Sequence, residues 1–484
     1  MKSQTFTTQP IYPSGNNINI NEYTFTGSFT QTARAAEPKK KKADRPLLSI
    51  AVLVGTFLLM IGAGYTVYQL QDEFEQFNME RLNTWWGLSL IVIMSALLLF
   101  RLGFFLYSIY LYIRYKPVTS VSDELLPTCT VIVPAYNEGK QVWDTLKSLA
   151  ESDFPAHKLQ LIAVDDGSVD DTWYWMQQAK KSLGDRVEIF QQPKNMGKRH
   201  ALYHGFNIGT GEIFVTVDSD SIVKPDTLRN LVSPFVVNDK CGAVAGNVKV
   251  LNNKGILPKM LNVSFVLSFE FVRSVESMLK TVMCTPGALS AYRSEAVFAC
   301  LPDWINQTFM GQPSDIGEDR AMTNMILKQG YEVRFQSNAH VLTNVPEKYT
   351  GLYKMFIRWD RSNVRESLMM AKFVFSNFRK GSKAGARLLF INQSIRLVMA
   401  YPLILIMLLF VATHPILFLS STLFSILIFS SFSVFFYAKK YKVSESFWAY
   451  SYSLLYTFGL FWITPYAIAT VSRRGWLTRG PGIK

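Results

Sequence analysis

Apolar residues fall into blocks of distinct lengths along this chain, and the block lengths set out its organisation. Residues 46 to 70, "PLLSIAVLVGTFLLMIGAGYTVYQL", carry no charge and are long enough to cross a hydrocarbon layer of about 30 Å. An acidic-leaning spacer, "QDEFEQFNMER", separates them from a second such run, "TWWGLSLIVIMSALLLFRLGFFLYSIYLYI", which exits into Arg114 and Lys116. Two transmembrane helices are therefore predicted within 46–115, and two more at 388–412 and 415–437. The last apolar block, 446–471, is too short for two full crossings, and a single crossing would leave its basic tail outside. A broken or re-entrant hairpin around Gly459 to Pro465 is expected, with its freed backbone groups covered by protein.

Between these blocks, residues 120–375 show a different rhythm. Apolar runs of strand length, "TCTVIVPAY", "LQLIAVDDGS", "RVEIFQQP" and "EIFVTVDSDS", alternate with helical patterns such as "GKQVWDTLKSLAES" and "DTWYWMQQAKKSL". That alternation predicts an α/β domain with a parallel sheet and crossover helices. Ligands of such sheets collect beyond the carboxyl ends of the strands, where "YNE", "DDGS" and "DSDS" all fall.

Composition and charge refine this picture. The chain has 484 residues, a net charge of +14 and 49% hydrophobic residues. The surplus of Lys and Arg clusters at the ends of the apolar blocks, at Lys39 to Lys42 with Arg45, at Arg114 and Lys116, and at "AKKYK". Those positions argue for membrane flanks on the cytosolic side rather than for nucleic-acid binding. The expected arrangement is a multi-pass protein of the cell membrane with its central domain in the cytosol. Residues 1–45 read as a disordered basic tail, 376–387, within "FVFSNFRKGSKAGARLLF", as an interfacial segment, and 472–484 as a cytosolic tail. No signal-peptide cleavage pattern is seen, so the first apolar block is expected to be retained. Cys129, Cys241, Cys284 and Cys300 show neither paired nor metal-ligand spacing and read as reduced.

Candidate chemistry lies at the strand ends. Asp218 and Asp220, in "TVDSDS", offer hard oxygen ligands to Mg2+ or Mn2+ bound to a diphosphate. A bare pair of this kind is also consistent with a solvated turn. Asp165 and Asp166 end another strand, however, and "NMGKRHAL" places Lys198, Arg199 and His200 beside Gly197, a set able to meet phosphate oxygens. Acids for a metal and bases for phosphates fit a nucleotide diphosphate.

In order and spacing, "VIVPAYNE", "VDDGSVDDT", "NMGKRHAL", "TVDSDS", "TPGALSAYR" and "GEDRAMTN" resemble the inverting, membrane-bound, processive glycosyltransferases of family 2. "NQTFMGQPSDIGEDRAMTN", "VPEKY", "RWDRSNVRESL" and "GWLTRG" are most similar to bacterial hyaluronan synthases. The resemblance implies a GT-A type, Rossmann-like domain inserted between transmembrane helices, a UDP-sugar donor, a divalent metal and a channel for the growing polysaccharide acceptor. Carried over by position, it assigns Ala135, Tyr136, Glu138, Asp165 and Asp166 to the nucleotide, Lys198 and Arg199 to its phosphates, and Asp218 and Asp220 to ribose and metal. Asp319 becomes the general base, with Gly287 and Trp359 beside the acceptor sugar and Arg358 on the diphosphate. Trp476, Thr478 and Arg479 would close over the nucleotide.

Each assignment has a plainer alternative. Glu318 and Asp319 suit a helix N-terminus for electrostatic reasons alone, Trp359 could be an interfacial anchor, and the tail could be a basic membrane-surface segment. The chain also departs from the family pattern at Met355, where a Gln is usual, which bears on how the acceptor-side loop is held. Besides a hyaluronan-like polymer of N-acetylglucosamine and glucuronic acid, a chitin or poly-N-acetylglucosamine synthase, a lipid-phosphate sugar transferase and a membrane scaffold with a degenerate nucleotide domain remain open.

Overall fold

The structure, a computed structural model, describes residues 46–473. The expected basic tail at 1–45 and the candidate residues Trp476, Thr478 and Arg479 lie outside the described residues.

The central domain is built on an eight-stranded sheet. Its strands are β1 (Cys129–Ala135), β2 (Leu159–Asp165), β3 (Val187–Gln191), β4 (Ile213–Thr216), β5 (Ile222–Val223), β6 (Cys241–Val250) and β7 (Ser290–Arg293). A small hairpin, β8 (Thr308–Phe309) with β9 (Gln312–Pro313), stands apart, and β10 (Glu332–Thr343) completes the sheet. The order is β3-β2-β1-β4-β7-β6-β10-β5. β1 is buried along its whole length, as befits a central strand with helices on both faces. Its register puts Ala135 opposite Asp165, so the "YNE" and "DDGS" turns leave the sheet side by side.

The expectation of a parallel sheet holds for β3-β2-β1-β4 and for β6 with β10. It fails at β7, which runs antiparallel to both β4 and β6, and at β5, antiparallel to β10. β7 is entered from a loop that turns at the carboxyl edge of the sheet rather than from a crossover helix. Its first residue, Ser290, therefore pairs with Thr216 at the end of β4. This reversal delivers Gly287 to the same edge as Asp218.

Among the described residues, three helices are long and apolar enough to cross a membrane: Leu47–Gln69, Trp85–Arg114 and Pro415–Ala438. A fourth candidate, Ala384–Val398 followed by Ala400–Thr413, bends by 41° at Met399. Pro402, in the first turn after the bend, has no N–H to return to the preceding turn, which accounts for the break.

The last apolar block folds as two short helices, Trp448–Leu454 and Ile463–Ala469, with a π-turn at Leu455–Gly459. The freed carbonyl of Gly459 accepts from the Tyr349 hydroxyl and, at 3.1 Å, from the Trp462 indole. The stretch around 376–387 is largely turn rather than helix: Arg387 donates to the carbonyls of Val374, Phe375 and Ser376, and Phe373 and Val374 are buried. Glu270, on a π-turn at Val266–Val272, ties the domain to the end of helix Pro415–Ala438. It pairs with Lys249 of β6 and, at 2.6 Å, with Lys440, while the Tyr441 hydroxyl donates to it.

Candidate active site

Each motif is anchored to the next. β1 and β2 end together, and the carbonyl of Ala135 accepts from the Asp166 amide at 2.8 Å. Asp165, fully buried, accepts from the Ser168 amide at 3.2 Å, from the Ser168 hydroxyl and from Gln191 Nε2 at 2.9 Å. Asp166 accepts the amides of Met196 and Gly197, each at 2.8 Å. Both carboxyl groups thus hold turns in shape by accepting hydrogen bonds from their backbone amides.

Gly167 allows the approach that makes this possible. Its φ is +67°, and a Cβ there would fall 2.5 Å from the backbone of Lys194. On the neighbouring turn, the amides of Glu138 and Gly139 donate to the Thr172 hydroxyl, at 2.8 and 2.9 Å, and Tyr136 stands half-buried beside them.

Asp166, by fixing Gly197, fixes the start of helix Lys198–Ile208. Lys198 then projects across the sheet edge, ion-pairs with Asp218 and lies 3.4 Å from Glu318. Burial alone would lower the Lys198 pKa. The carboxylates of Asp218, Glu318 and Asp319 outweigh it and hold the ammonium above its ordinary value.

Gly287 faces this pair. A Cβ at that position would lie 2.6 Å from Lys198 Nζ and 3.6 Å from an Asp218 oxygen, while its amide donates to Asp319 at 3.2 Å. Asp319 occupies the first turn of helix Glu318–Lys328 and also accepts the Arg320 amide at 2.7 Å. Burial, seconded by Glu318, raises the Asp319 pKa; Lys198, the Arg320 amide and Arg358 oppose the rise.

Arg199 departs from its expected place on the phosphate side. One residue round the helix from Lys198, it is buried, lies over the Trp304 ring at 4.9 Å, and donates to the Trp304 carbonyl and, at 3.1 Å, to Gln307. Adjacent helix positions do not share a face, so of the two only Lys198 pairs with Asp218, while Arg199 feels Glu318 and Glu366 from the buried side.

Trp359 is part exposed and packs against Phe265 and, edge-on, against Phe356 at 5.6 Å. Arg358, beside it, is close enough to Asp319 to act on its charge. Met355 is buried in the main apolar core.

Asp218 and Asp220 fit a divalent cation held jointly with a diphosphate. They are two half-buried carboxylates at an open strand end, and Mg2+ or Mn2+ takes one or two such groups with phosphates and waters completing its shell. Among the described residues there is no cluster of three or more His, Cys, Asp or Glu able to hold a metal alone.

The sequence did not single out the polar layer beneath these groups. Thr323 donates to the Asp319 carbonyl at 2.8 Å and accepts the Thr285 amide at 3.1 Å, and Thr285 bonds Tyr292 at 2.9 Å. Arg361 donates twice to Thr470, Arg365 reaches Ser314 at 2.7 Å, and Glu366 binds Gln307 and Asn324. A run of charge inside a helix with an apolar face, "RSNVRES", was the available signal.

This mixed sheet with acids at its carboxyl edge is a GT-A-like fold, and residues 127–362 match the family described as "Glycosyltransferase like family 2". An N-acetylglucosaminyltransferase of Rhizobium leguminosarum bv. viciae is 31% identical over 259 residues, covering 53% of this chain and 60% of that protein. A hyaluronan synthase of Streptococcus pyogenes is 32% identical over 253 residues, covering 51% and 59%. The chain thus spans about three-fifths of the length of these curated relatives. A mannosyltransferase from Pyrobaculum calidifontis, solved with GDP-Man and Mn2+, shares the fold with a TM-score of 0.52 at 20% identity, over 76% of this chain and 98% of that one.

Proposed function

We propose that this protein is a membrane-embedded, processive, inverting glycosyltransferase that polymerises UDP-sugars and passes the polysaccharide outward. Its GT-A domain, about 120–375, would face the cytosol between the flanking membrane helices. The observation that carries this reading is the convergence of Lys198, Asp218, Gly287 and Asp319 at one point of the sheet edge.

In this reading Asp319 takes the proton of the acceptor hydroxyl as its oxygen attacks the anomeric carbon. The bond from that carbon to the diphosphate breaks on the opposite face, and the configuration inverts. A base with a pKa raised by burial holds the proton more firmly as it is transferred. Lys198 meets the charge that develops on the departing UDP, and Arg358 backs it. Trp359 offers a ring to the apolar face of the acceptor sugar. Mg2+ or Mn2+, when bound at Asp218 and Asp220, supplies Lewis-acid neutralisation of the diphosphate. Tyr136, Glu138, Asp165 and Asp166 shape the nucleotide end, Asp165 and Asp166 by fixing the turns around it.

The favoured product is an alternating polymer of N-acetylglucosamine and glucuronic acid. A polymer or oligomer of N-acetylglucosamine alone is the second reading, supported by the equally similar N-acetylglucosaminyltransferases. Purified membranes supplied with UDP-GlcNAc and UDP-GlcA singly and together distinguish the two. Polymer made only with both donors and cleaved by hyaluronidase supports the first; polymer from UDP-GlcNAc alone, cleaved by chitinase, replaces it with the second. Absence of UDP release with any donor would overturn the enzyme reading itself.

A further inference from the structure

Three acids and one ammonium crowd the point where β4 ends. Lys198 comes from the first turn of its own helix and is 10% exposed in its side chain; it pairs with Asp218 on one side and Glu318 on the other. Asp218 is also one of the two carboxylates suited to a divalent cation. The ammonium therefore sits on an oxygen that a metal would need.

We propose that Lys198 is an internal stand-in for the metal: without nucleotide its Nζ neutralises Asp218 and disfavours cation binding, and a UDP-bound cation displaces it toward Glu318 and the diphosphate. The inference rests on the nucleotide-sugar reading and assigns Glu318 a role beyond that of a helix N-terminal acid, as the carboxylate that receives the displaced ammonium.

Three features of the site support it. A lysine is a compact charge on a flexible stem with three donors, so it can change partners without moving its helix. Glu318 already lies 3.4 Å from Nζ, so the ammonium need not pass through a state without a carboxylate. Gly287 leaves open the space in which the exchange occurs, since a Cβ would stand 2.6 Å from Nζ. Two cations on one carboxylate repel, so the metal alone binds weakly. UDP, which gives the ammonium a second anion, favours the metal, and by linkage the metal favours UDP to the same degree.

The test is Mn2+ titration of the purified full-length protein in detergent, followed by electron paramagnetic resonance with and without UDP. Wild type is expected to bind Mn2+ weakly alone and more tightly with UDP. Lys198→Met should tighten nucleotide-free Mn2+ binding by about tenfold and shrink the effect of UDP. Gly287→Ala, whose methyl intrudes on Nζ, should move Mn2+ affinity in the same direction with the lysine still present, and it serves where Lys198→Met does not fold. Asp220→Asn should remove Mn2+ binding in each background, locating the metal at the acid pair. Folded Lys198→Met or Gly287→Ala protein that binds Mn2+ no tighter than wild type would overturn the proposal. That result together with UDP release from UDP-GlcNAc by the unmutated protein would sink this inference alone; tighter Mn2+ binding by the variants, with no UDP release from any donor by the unmutated protein, would uphold it and sink the donor reading.

Discussion

At the residue scale, Asp319 carries the sharpest expectations. Its carboxyl is buried beside Glu318 and its pKa is raised, and in the proposed role it would work as a base only when ionised. Activity should therefore fall as pH drops through a value above the ordinary carboxylate range, and a pH profile of UDP release would show the acid limb displaced upward. Asp319→Asn should cost roughly 100- to 10,000-fold in turnover, the usual share of a general base. Linkage gives the second sign: a raised folded-state pKa means that ionisation opposes folding, so the cost is absent at acid pH and appears as pH rises through that pKa. Melting curves should accordingly show Asp319→Asn gaining stability over wild type at pH 8 but not at pH 4. At Met355 the expectation runs against the family pattern. The thioether is buried in the main apolar core, so Met355→Gln would bury an amide and destabilise the fold by about 1–3 kcal/mol, readable in the same melts.

At the scale of elements, the helix bearing Asp319 is aimed by the residue before it. Gly317 has φ +76°, and a Cβ there would fall 2.0 Å from Ser362 Oγ and 2.7 Å from Ser362 Cβ on helix Tyr349–Ala371. The glycine lets this helix start against the helix that carries Arg358 and Trp359. Gly317→Ala should cost about 1–3 kcal/mol through left-handed strain, and more through the clash. Adding Ser362→Gly should recover the steric part and leave the strain, a pattern that a double-mutant cycle measures. The far end of the same arrangement is held by Arg361, which is buried and donates to Thr470 at 3.1 and 2.9 Å. Thr470→Val would strand that guanidinium, at about 1–3 kcal/mol.

At the scale of the whole molecule, the long apolar helices are joined to one another by a polar contact as well as by apolar packing. Thr56 bonds Ser451 at 3.0 Å between the first apolar helix and the last block. On the spacer helix Gln71–Leu82, Phe77 stacks on Phe410 at 5.2 Å. Placing that spacer outside and the domain inside predicts that an impermeant maleimide labels Asp72→Cys on intact cells and labels Thr478→Cys only after permeabilisation. Three of the four native cysteines are buried, so background labelling should be low. Labelling of both from outside would overturn the cytosolic tail.

Much of this molecule is written in local sequence. Runs of apolar residues long enough to span, acids at or just past strand ends such as Asp165, Asp166, Asp218 and Asp220, and turns that demand glycine are short-range properties, and they determined the long apolar helices, the α/β class and the acids at the sheet edge. The direction of β7 was not legible, because a strand of only four residues, Ser290–Arg293, fits either orientation; only the loop ahead of it decides which way it enters. The facing of Lys198 toward the acids and of Arg199 into the core was likewise undetermined, since two adjacent basic residues look alike until the helix is rotated against the sheet. The meeting of Lys198, Asp218, Gly287, Glu318 and Asp319 spans more than a hundred residues of chain. Such long-range convergence has no local signature, because it depends on how the sheet, two helix starts and one reversed strand pack against each other.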